Sequence, residues 1–261
     1  MTRLEVSRAT LGYPGKTVSQ GLSVEIPDDA FTVIIGPNAC GKSTLLKSLV
    51  RVLHPLAGSV LLDGHSISTL PTREVAKQLG LLPQDPTTPE GVRVVDLVAR
   101  GRYPHQKMFQ AWSPADEHAV KEAMAATRVT DLSGRLVDEL SGGQRQRVWM
   151  AVALAQQTPI LLLDEPTTFL DMTHQIELLE LCRTLNRDKG HTIIAVLHDL
   201  NQACRYAEHL IVMRGGQIVT TGRPDDVMTV DLLQDVFGLA ADVMADPQSG
   251  TPLIVPVWQH R

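Results

Sequence analysis

The stretch FTVIIGPNACGKSTLL, residues 31–46, joins a short apolar run to a glycine-rich loop. The continuous run Phe31 to Ile35 is typical of a buried β-strand. The following loop fits the pattern G-x-x-x-x-G-K-[ST], in which backbone N–H groups surround phosphates, a lysine supplies positive charge and a hydroxyl binds magnesium. The stretch therefore predicts a strand, a phosphate loop and a helix in succession. The residues predicted to bind phosphate are Gly36, Pro37, Asn38, Ala39, Cys40, Gly41, Lys42, Ser43 and Thr44.

Strand and helix patterns alternate on either side of this stretch. Apolar and polar residues alternate around Leu4 and again from Leu22 to Ile26, which indicates half-buried strands. The phosphate loop opens a helix predicted from about Lys42 to Leu53, and the step His54-Pro55 ends it. The next predicted elements are a short strand near Ser59 to Leu62, a helix from about Thr72 and the apolar stretch LGLLP before Gln84.

The segment from Asp85 to Leu140 breaks this alternation. It contains several prolines and helix signals such as Val94 to Arg100 and Ser113-Pro114, and we interpret it as a helical insert. Strands and helices then alternate again, which predicts an α/β fold with a parallel sheet. The later elements are a helix after Ser141, the strand ILLL, a helix from about Thr173 to Lys189 closed by Gly190, the strand TIIAVL, a helix from Asp199, a hairpin around Arg214-Gly215-Gly216 and a short helical tail ending in PLIVPV.

The composition limits the class of protein and its partners. With 261 residues, 43% of them hydrophobic, the chain can bury one sizeable core. No apolar run approaches the roughly 18 residues that suggest a membrane span, and the N-terminal sequence lacks a signal peptide, so a soluble cytoplasmic protein is expected. A net charge of −5 without a long basic run argues against nucleic acid as a partner. Cys40, Cys182 and Cys204 show neither disulfide nor zinc spacing and are predicted to be free thiols.

Three further apolar runs end in polar residues. Gln84 follows LGLLP, Asp164 and Glu165 end ILLLDE, and His198 follows TIIAVL. Ligands of open α/β sheets bind beyond the carboxyl ends of the strands, so these residues are expected to meet at one edge if the runs share a sheet.

Each of these residues can be given a role in phosphate chemistry. Asp164 would bind Mg2+ together with Ser43, and Glu165 would orient or deprotonate an attacking water. His198 would donate to a γ-phosphate, and Gln84 would reach the metal or the water. The alternatives are a solvated Asp-Glu loop, an ordinary histidine and a surface amide. The phosphate loop upstream favours the catalytic interpretation.

A second phosphate site is predicted at the helix after Ser141. Ser141 can cap this helix, and Val148, Val152 and Ala155 recur at helical spacing. Gly142 and Gly143 let an anion approach backbone N–H groups at a helix end that carries about half a positive charge. The chain has one triphosphate loop but two ends that can bind phosphate, and a two-fold pair of chains could share them.

Taken together, these motifs resemble the ATP-binding cassette family, and the resemblance covers nearly the whole chain. It implies ATP and Mg2+ as ligands and a head-to-tail dimer, in which Ser141, Gly142, Gly143 and Gln144 of one chain read the γ-phosphate bound by the other. The matching motifs are the phosphate loop, the glutamine loop at Gln84, the signature LSGGQ at Leu140 to Gln144, the acidic segment ILLLDEP, FLD at Phe169 to Asp171 and the switch His198.

The resemblance adds two residues to the predicted nucleotide site. Tyr13, in LGYPGK, matches the aromatic residue that stacks on adenine in this family, with a plain turn tyrosine as the alternative. Asp171, in FLD, is carried over as a further nucleotide-binding residue.

Longer stretches are similar to the ATPase subunits of bacterial ferric-siderophore importers, especially the ferric-enterobactin type. They include VARGRYPHQ, LLDEPTTFLDMTHQIELLEL and AVLHDLNQACRYAEHL. This likeness implies hydrolysis of ATP to ADP and phosphate, coupled to import of an iron chelate. It also implies two ATPases, two membrane permease chains and an extracytoplasmic binding protein, with the ATPase peripheral on the cytoplasmic face of the membrane.

Other functions stay open at this point. Importers of cobalamin, haem or iron-dicitrate use similar ATPases, and a non-transport cassette or a module that binds ATP without turnover are further alternatives. The gap from Gln84 to Ser141 is too short for a long coiled-coil insert and lacks heptads, which argues against the non-transport cassette. Glu165 and His198 argue against a module without turnover.

The predicted fold is α/β, with the P-loop NTPase core of an ABC-type ATPase, an N-terminal antiparallel β subdomain and an inserted α-helical subdomain. Residues 1–84 and 141–222 would form the nucleotide-binding core, and residues 223–261 a C-terminal tail. Residues 85–140 would dock the permease, with GRYPHQK, Gly101 to Lys107, in the contact; a basic solvated loop is the alternative.

Overall fold

A computed structural model describes residues 2–106, 111–168 and 170–257 of the chain. Its strands are Thr2–Tyr13 (β1), Lys16–Pro27 (β2), Phe31–Ile35 (β3), Ala57–Leu62 (β4), His65–Ser66 (β5), Leu79–Leu82 (β6), Ile160–Asp164 (β7), Thr192–Val196 (β8), His209–Arg214 (β9), Gln217–Gly222 (β10), Ala241–Ala245 (β11) and Pro252–Pro256 (β12). Its α-helices are Lys42–Leu49 (α1), Thr72–Gln78 (α2), Val94–Ala99 (α3), Pro114–Ala126 (α4), Gly142–Ala155 (α5), Met172–Lys189 (α6), Leu200–Tyr206 (α7), Pro224–Val227 (α8) and Val230–Leu232 (α9). Short 3-10 helices lie at Arg100–Arg102, Thr130–Leu132 and Val137–Glu139, and a π-helical turn at Leu233–Phe237.

The elements form two compact units. The first contains the described residues up to Leu70 and those from Thr192 onward, and the second runs from Pro71 to His191. In the first unit, β1 and β2 make a long antiparallel hairpin, and β4 pairs antiparallel with β1. This antiparallel sheet confirms the strands predicted from the alternation around Leu4 and Leu22.

The other sheet of the first unit is built around β3. This strand is parallel to both β8 and β9, and β10 is antiparallel to β9. Every residue of β3 and β8 is buried, which explains their continuous apolar sequences. Because β3 is an interior strand, the loop that follows it at Gly36 begins at the end of a firmly held segment.

The second unit combines a parallel strand pair with a helical core. β6 and β7 pair from Leu79 with Ile160 to Leu82 with Leu163. The helices α3, α4 and α5 pack around apolar side chains, and a capping box between Ser113 and Asp116 begins α4, as Ser113-Pro114 predicted. The buried side chains of this core are Val94, Leu97, Val98, Val120, Ala123, Met124, Val129, Leu132, Val137, Leu140, Val148, Ala151 and Ala155.

The predicted end of α1 is wrong by one turn. The helix ends at Leu49 rather than at Leu53, and Arg51 has a left-handed backbone with φ of 60°. The Arg51 guanidinium donates to the carbonyl oxygens of Ile67 and Leu70, at 2.9 and 2.7 Å. The N–H groups of Val52 and Leu53 donate to the carbonyl oxygen of Lys47, both at 3.0 Å, so the left-handed turn at Arg51 ends the helix before the His54-Pro55 step.

The C-terminal segment is helical only in its first half. Short helices follow β10 as predicted, but the chain then forms the antiparallel hairpin of β11 and β12, with Val243 opposite Ile254. Proline residues at both ends of β12 are compatible with an edge strand, since proline cannot donate to a ladder. The apolar sequence PLIVPV is therefore a strand, paired with a segment that had no strand prediction.

The helices of the described residues are each too short or too polar to span a lipid bilayer.

Candidate active site

The loop after β3 has the backbone of a phosphate-binding turn. Gly36, Ala39 and Gly41 have positive φ angles of 153, 61 and 107°. Successive turns of this kind direct N–H groups toward one point, where an anion can bind. A Cβ atom at Gly36 would lie 2.1 Å from the carbonyl oxygen of Met213, so a larger residue would displace the loop. Glycine at this position is required by packing as well as by conformation.

Lys42 is held inside this loop. Its side chain is buried, and its ammonium donates to the carbonyl oxygens of Gly36 at 2.8 Å and Pro37 at 2.9 Å. The residue begins α1, whose N-terminus has no side-chain cap. A positive charge and an uncapped helix end therefore lie at the same turn, which is the arrangement that an oligophosphate requires.

A backbone hydrogen bond from the turn between β9 and β10, which the sequence did not predict, also holds the phosphate loop in place. The N–H of Gly216, in the turn between β9 and β10, donates to the carbonyl oxygen of Cys40 at 3.0 Å. A Cβ atom at Gly216 would lie 1.9 Å from the carbonyl oxygen of Val18, so this turn also requires glycine. In the sequence, the pair Gly215-Gly216 predicted a hairpin but did not indicate a contact with the phosphate loop.

The remaining loop residues differ in their exposure. Cys40 is buried, and burial raises the pKa of its thiol despite the nearby Lys42 ammonium. Asn38 and Ala39 are exposed, Ser43 is half-buried and Thr44 is buried. Asn38 and Ala39 are thus at the open side of the loop, while Cys40 belongs to its packed side.

Tyr13 and His198 also belong to the first unit. Tyr13 ends β1 and is 42% exposed, which leaves its ring accessible for stacking. His198 is exposed two residues after β8, and the next residue, Asp199, caps α7 by accepting from the N–H of Gln202 at 2.9 Å. Their assignments to adenine and γ-phosphate stay predictions.

In the second unit, the predicted catalytic side chains of Gln84 and Glu165 are hydrogen-bonded to each other. Asp164 ends β7 and is fully buried, and Glu165 follows it with a left-handed φ of 52°. The amide nitrogen of Gln84 donates to a carboxylate oxygen of Glu165 at 2.6 Å, and the Thr168 hydroxyl lies 3.5 Å from the same oxygen. A non-glycine residue in this conformation costs of order 1 kcal/mol or more, and such strain is concentrated at functional sites.

The Gln84 contact was not predicted. Gln84 and Glu165 are 81 residues apart in sequence. Their bond uses the amide nitrogen, so the amide oxygen is the atom that could bind a metal. The glutamine is therefore placed to orient the carboxylate proposed to act on water.

The signature helix α5 is capped by its own residues. The Ser141 hydroxyl accepts from the N–H of Gln144 at 3.3 Å, and the Gln144 side chain accepts from the N–H of Ser141 at 3.1 Å. This capping box uses the N–H groups of Ser141 and Gln144, which leaves those of Gly142 and Gly143 for an anion. A Cβ atom at Gly143 would lie 3.3 Å from Leu170, so the second glycine is also in a tight position.

Two other side chains attach α5 to the loops of its unit. The buried Gln146 amide donates to the carbonyl oxygen of Pro166 at 3.1 Å, directly after the acidic pair. The Trp149 indole donates to the Thr88 hydroxyl at 3.3 Å. Gln146 had no predicted role, although its spacing from the buried Met150 placed it on an inward face of the helix.

Asp171 has a structural role at the start of α6. Its carboxylate accepts from the N–H of His174 at 2.9 Å and contacts the His174 ring nitrogen at 2.8 Å. Hydrogen bonding from the His174 backbone lowers the pKa of the Asp171 carboxyl. Its predicted role at the nucleotide is not tested by these contacts. Phe169 and Lys107, which belong to the predicted FLD and GRYPHQK segments, lie outside the described residues.

The predicted magnesium ligands have the right donor chemistry. Mg2+ prefers oxygen ligands, and Ser43, Gln84 and Asp164 offer a hydroxyl, an amide and a carboxylate. Within the ranges that the structure describes, no group of three or more His, Cys, Asp or Glu residues could hold a metal.

Comparison with known proteins agrees with these motifs. The sequence profile of the ABC transporter family matches residues 19–168. The chain is 56% identical to the ferric enterobactin transport ATP-binding protein FepC of Escherichia coli (strain K12), over 98% of this chain and 95% of that protein.

Two solved structures share the fold. One is an ABC transporter of proposed metal-chelate type in an inward-facing conformation, with a TM-score of 0.83, 26% identity and 98% of each chain covered. The other is a dimeric ATP-binding cassette in a post-hydrolysis state bound to ADP and Pi, with a TM-score of 0.75, 26% identity and coverage of 84% of this chain and 98% of that one. From its motifs, its fold and these similarities, the chain belongs to the ABC transporter family.

Proposed function

We propose that this chain is the ATP-hydrolysing subunit that powers import of a ferric siderophore across the bacterial cytoplasmic membrane. The nucleotide chemistry rests on the phosphate loop, where Lys42 is buried and bonded to the carbonyl oxygens of Gly36 and Pro37. The cargo rests on 56% identity, over almost the full chain, to a protein named for ferric enterobactin transport.

The described residues support a separate role in hydrolysis for each predicted side chain. The phosphate loop and Lys42 would hold the triphosphate, and Tyr13 would stack on the adenine. Glu165 would take a proton from the attacking water, with Gln84 holding its carboxylate through the 2.6 Å bond. His198 would donate to the γ-phosphate, and a charge developing there would be stabilised by fixed donors.

Mg2+ is part of this proposal. Ser43, Gln84 and Asp164 would provide its protein ligands, because each carries an oxygen donor of the type the ion prefers. When bound, the ion would neutralise negative charge on the phosphates.

The second phosphate-binding end supports a dimer. Ser141, Gly142, Gly143 and Gln144 form a helix end without a triphosphate loop of its own, so we assign it to the γ-phosphate of a second copy. Asp171, carried over from the motif FLD, would also belong to the nucleotide site. The dimeric cassette with a similar fold supports this assembly.

Membrane partners follow from the same proposal. Two such ATPases would drive two permease chains from the cytoplasmic face as peripheral subunits, with an extracytoplasmic binding protein on the other side. Residues 85–140 would dock the permease, and Tyr103 offers a 63% exposed aromatic ring within that segment. Residues 1–84 with 141–222 and residues 223–261 stay the proposed core and tail.

The test is reconstitution with the permease and binding protein that co-purify with the chain. Vesicles containing this complex should take up radiolabelled ferric enterobactin only with ATP inside, and Glu165→Gln should abolish uptake. Cobalamin, haem and iron-dicitrate serve as competing cargoes. Uptake of one of these in place of the ferric siderophore would overturn the cargo assignment, and uptake that continues without ATP would overturn the proposed function itself.

A further inference from the structure

The helix that follows His198 is held by the C-terminal hairpin. This helix, α7, has seven residues, which is too few for a stable helix in isolation, so its position depends on tertiary contacts. Its buried side chains are Ala203, Cys204 and Tyr206, and it contacts both β3 and β12. The hairpin thus packs on the element that directly follows a proposed catalytic residue.

Asn201 joins the first turn of α7 to β12. Its amide nitrogen donates to the carbonyl oxygen of Ile254 at 3.3 Å, and its amide oxygen accepts from the N–H of the same residue at 2.7 Å. One side chain therefore satisfies both backbone groups of a strand residue, as a neighbouring strand would. Both bonds must break before the start of the helix can move away from the hairpin.

A second contact holds the other end of the helix. The Arg205 guanidinium lies 2.9 Å from the Asp246 carboxylate, whose side chain is 12% exposed. The other oxygen of Asp246 accepts from the N–H groups of Gln248 and Ser249 at 2.8 and 3.3 Å, so the same carboxylate closes the hairpin turn. The ion pair therefore connects α7 to a fixed point of the hairpin.

We infer that Asn201 and Arg205 are positioning residues through which the C-terminal hairpin sets the place of His198 during ATP hydrolysis. Asn201 is three residues from His198, and the Asp199 cap between them makes the connection rigid. This inference rests on the proposed function, since it requires His198 to act on the γ-phosphate. It gives the C-terminal hairpin a part in turnover rather than in nucleotide binding.

Steady-state ATPase kinetics of the full-length chain test this role. Asn201→Ala should lower kcat about tenfold with an unchanged KM for ATP, because displacing a catalytic group matters most in the transition state. Arg205→Ala should have a smaller effect of the same type, and Arg205→Lys should restore it by keeping the charge opposite Asp246. Met244→Ala is the matched control, because Met244 is an exposed side chain of β11 in the same hairpin.

A double-mutant cycle separates positioning from general stability. In a His198→Ala background, Asn201→Ala should cause no further loss of kcat, because its effect passes through His198. An equal loss in both backgrounds, or the same loss with Met244→Ala, would overturn the inference. A normal kcat for Asn201→Ala would overturn it as well.

Hydrogen exchange provides a readout that does not require turnover. Amide exchange in residues 197–206 should accelerate in Asn201→Ala and stay unchanged in Met244→Ala. If the unmodified chain binds ATP but never hydrolyses it, the proposed function fails, and the positioning role fails with it. If the unmodified chain hydrolyses ATP and exchange in residues 197–206 is unaffected by Asn201→Ala, only the positioning role fails.

Discussion

The starts of α1 and α5 can both bind phosphate, but they are built differently. α1 begins at a buried lysine, after a loop with three positive φ angles, and has no side-chain cap. α5 follows the exposed Ser141, whose hydroxyl accepts in a capping box and can still donate, and its first turn carries Arg145 and no acidic residue. One end has a buried positive charge and no side-chain cap, whereas the other uses two of its N–H groups in its own cap.

This difference indicates different tasks. An uncapped, charged end gains much by binding an anion and should hold nucleotide in a single chain. A capped end whose cation, Arg145, is exposed gains less alone and should bind a phosphate that is already fixed nearby. We therefore expect α1 to determine ATP affinity and α5 to determine whether two chains close around ATP.

Glu165→Gln should have the largest effect on this pair of sites. Without a base the γ-phosphate is not cleaved from ATP, so turnover should fall about 1,000-fold. The uncleaved ATP should stay bound to the start of α1 in one chain and the start of α5 in the other. Phosphate release measures turnover, and light scattering should show an ATP-dependent dimer. Turnover at the normal rate would exclude Glu165 as the base, and a trapped monomer would exclude sharing.

Lys42→Ala should weaken the charged end. Removing the ammonium from the phosphate loop should reduce ATP affinity about 100-fold, the size expected for several charge-assisted hydrogen bonds. A fluorescent ATP analogue titrated at equilibrium measures the affinity. Lys47→Ala is the control, because Lys47 lies in the last turn of the same helix. Equal affinities for the two variants would show that the loop binds phosphate through its backbone alone.

Ser141→Ala should affect the capped end, the start of α5, selectively. It should lower turnover about tenfold by removing one hydroxyl from the γ-phosphate, without changing ATP binding to the single chain. Ser113→Ala provides a matched comparison, since Ser113 caps α4 with the same type of box and each cap is worth about 1 kcal/mol. In thermal unfolding, the Tm should fall by a similar amount in both variants. A similar loss of turnover in both would reduce the role of Ser141 to helix stability.

Alkylation of Cys40 tests how tightly the phosphate loop before α1 is packed. Burial raises the pKa of this thiol, so the reactive thiolate is scarce at neutral pH and its fraction grows as pH rises toward that pKa. We expect iodoacetamide to react about tenfold more slowly than with a small thiol at pH 7.5, faster at higher pH, and more slowly with ATP. Mass spectrometry of the Cys40 peptide measures the rate. Cys182, whose pKa burial raises to about 12, is the unreactive reference. A rate equal to that of a small thiol would show an open loop.

Much of the fold could be predicted because local patterns carry it. The apolar run of β3 ends at Ile35 as predicted, and α6 closes at Gly190 in a left-handed conformation. These features depend on residues that are neighbours in sequence, so periodicity and capping rules apply directly. The end of α1 was predicted wrongly because Arg51, a non-glycine residue, adopts a left-handed conformation there. The hairpin of β11 and β12 was missed because Asn201 and Arg205, which hold it, are distant from it in sequence.

The same distinction applies to the site. The order of residues by itself determined the phosphate loop, the signature cap and the identities of the acidic pair, since each is a short motif whose chemistry lies in adjacent residues. Only the tertiary structure decided which distant residues are hydrogen-bonded to each other: Gln84 to Glu165, Gly216 to Cys40 and Asn201 to Ile254. Each of these contacts joins residues far apart in the chain, and a hydrogen bond needs its two atoms within about 3 Å, a condition that folding alone can satisfy.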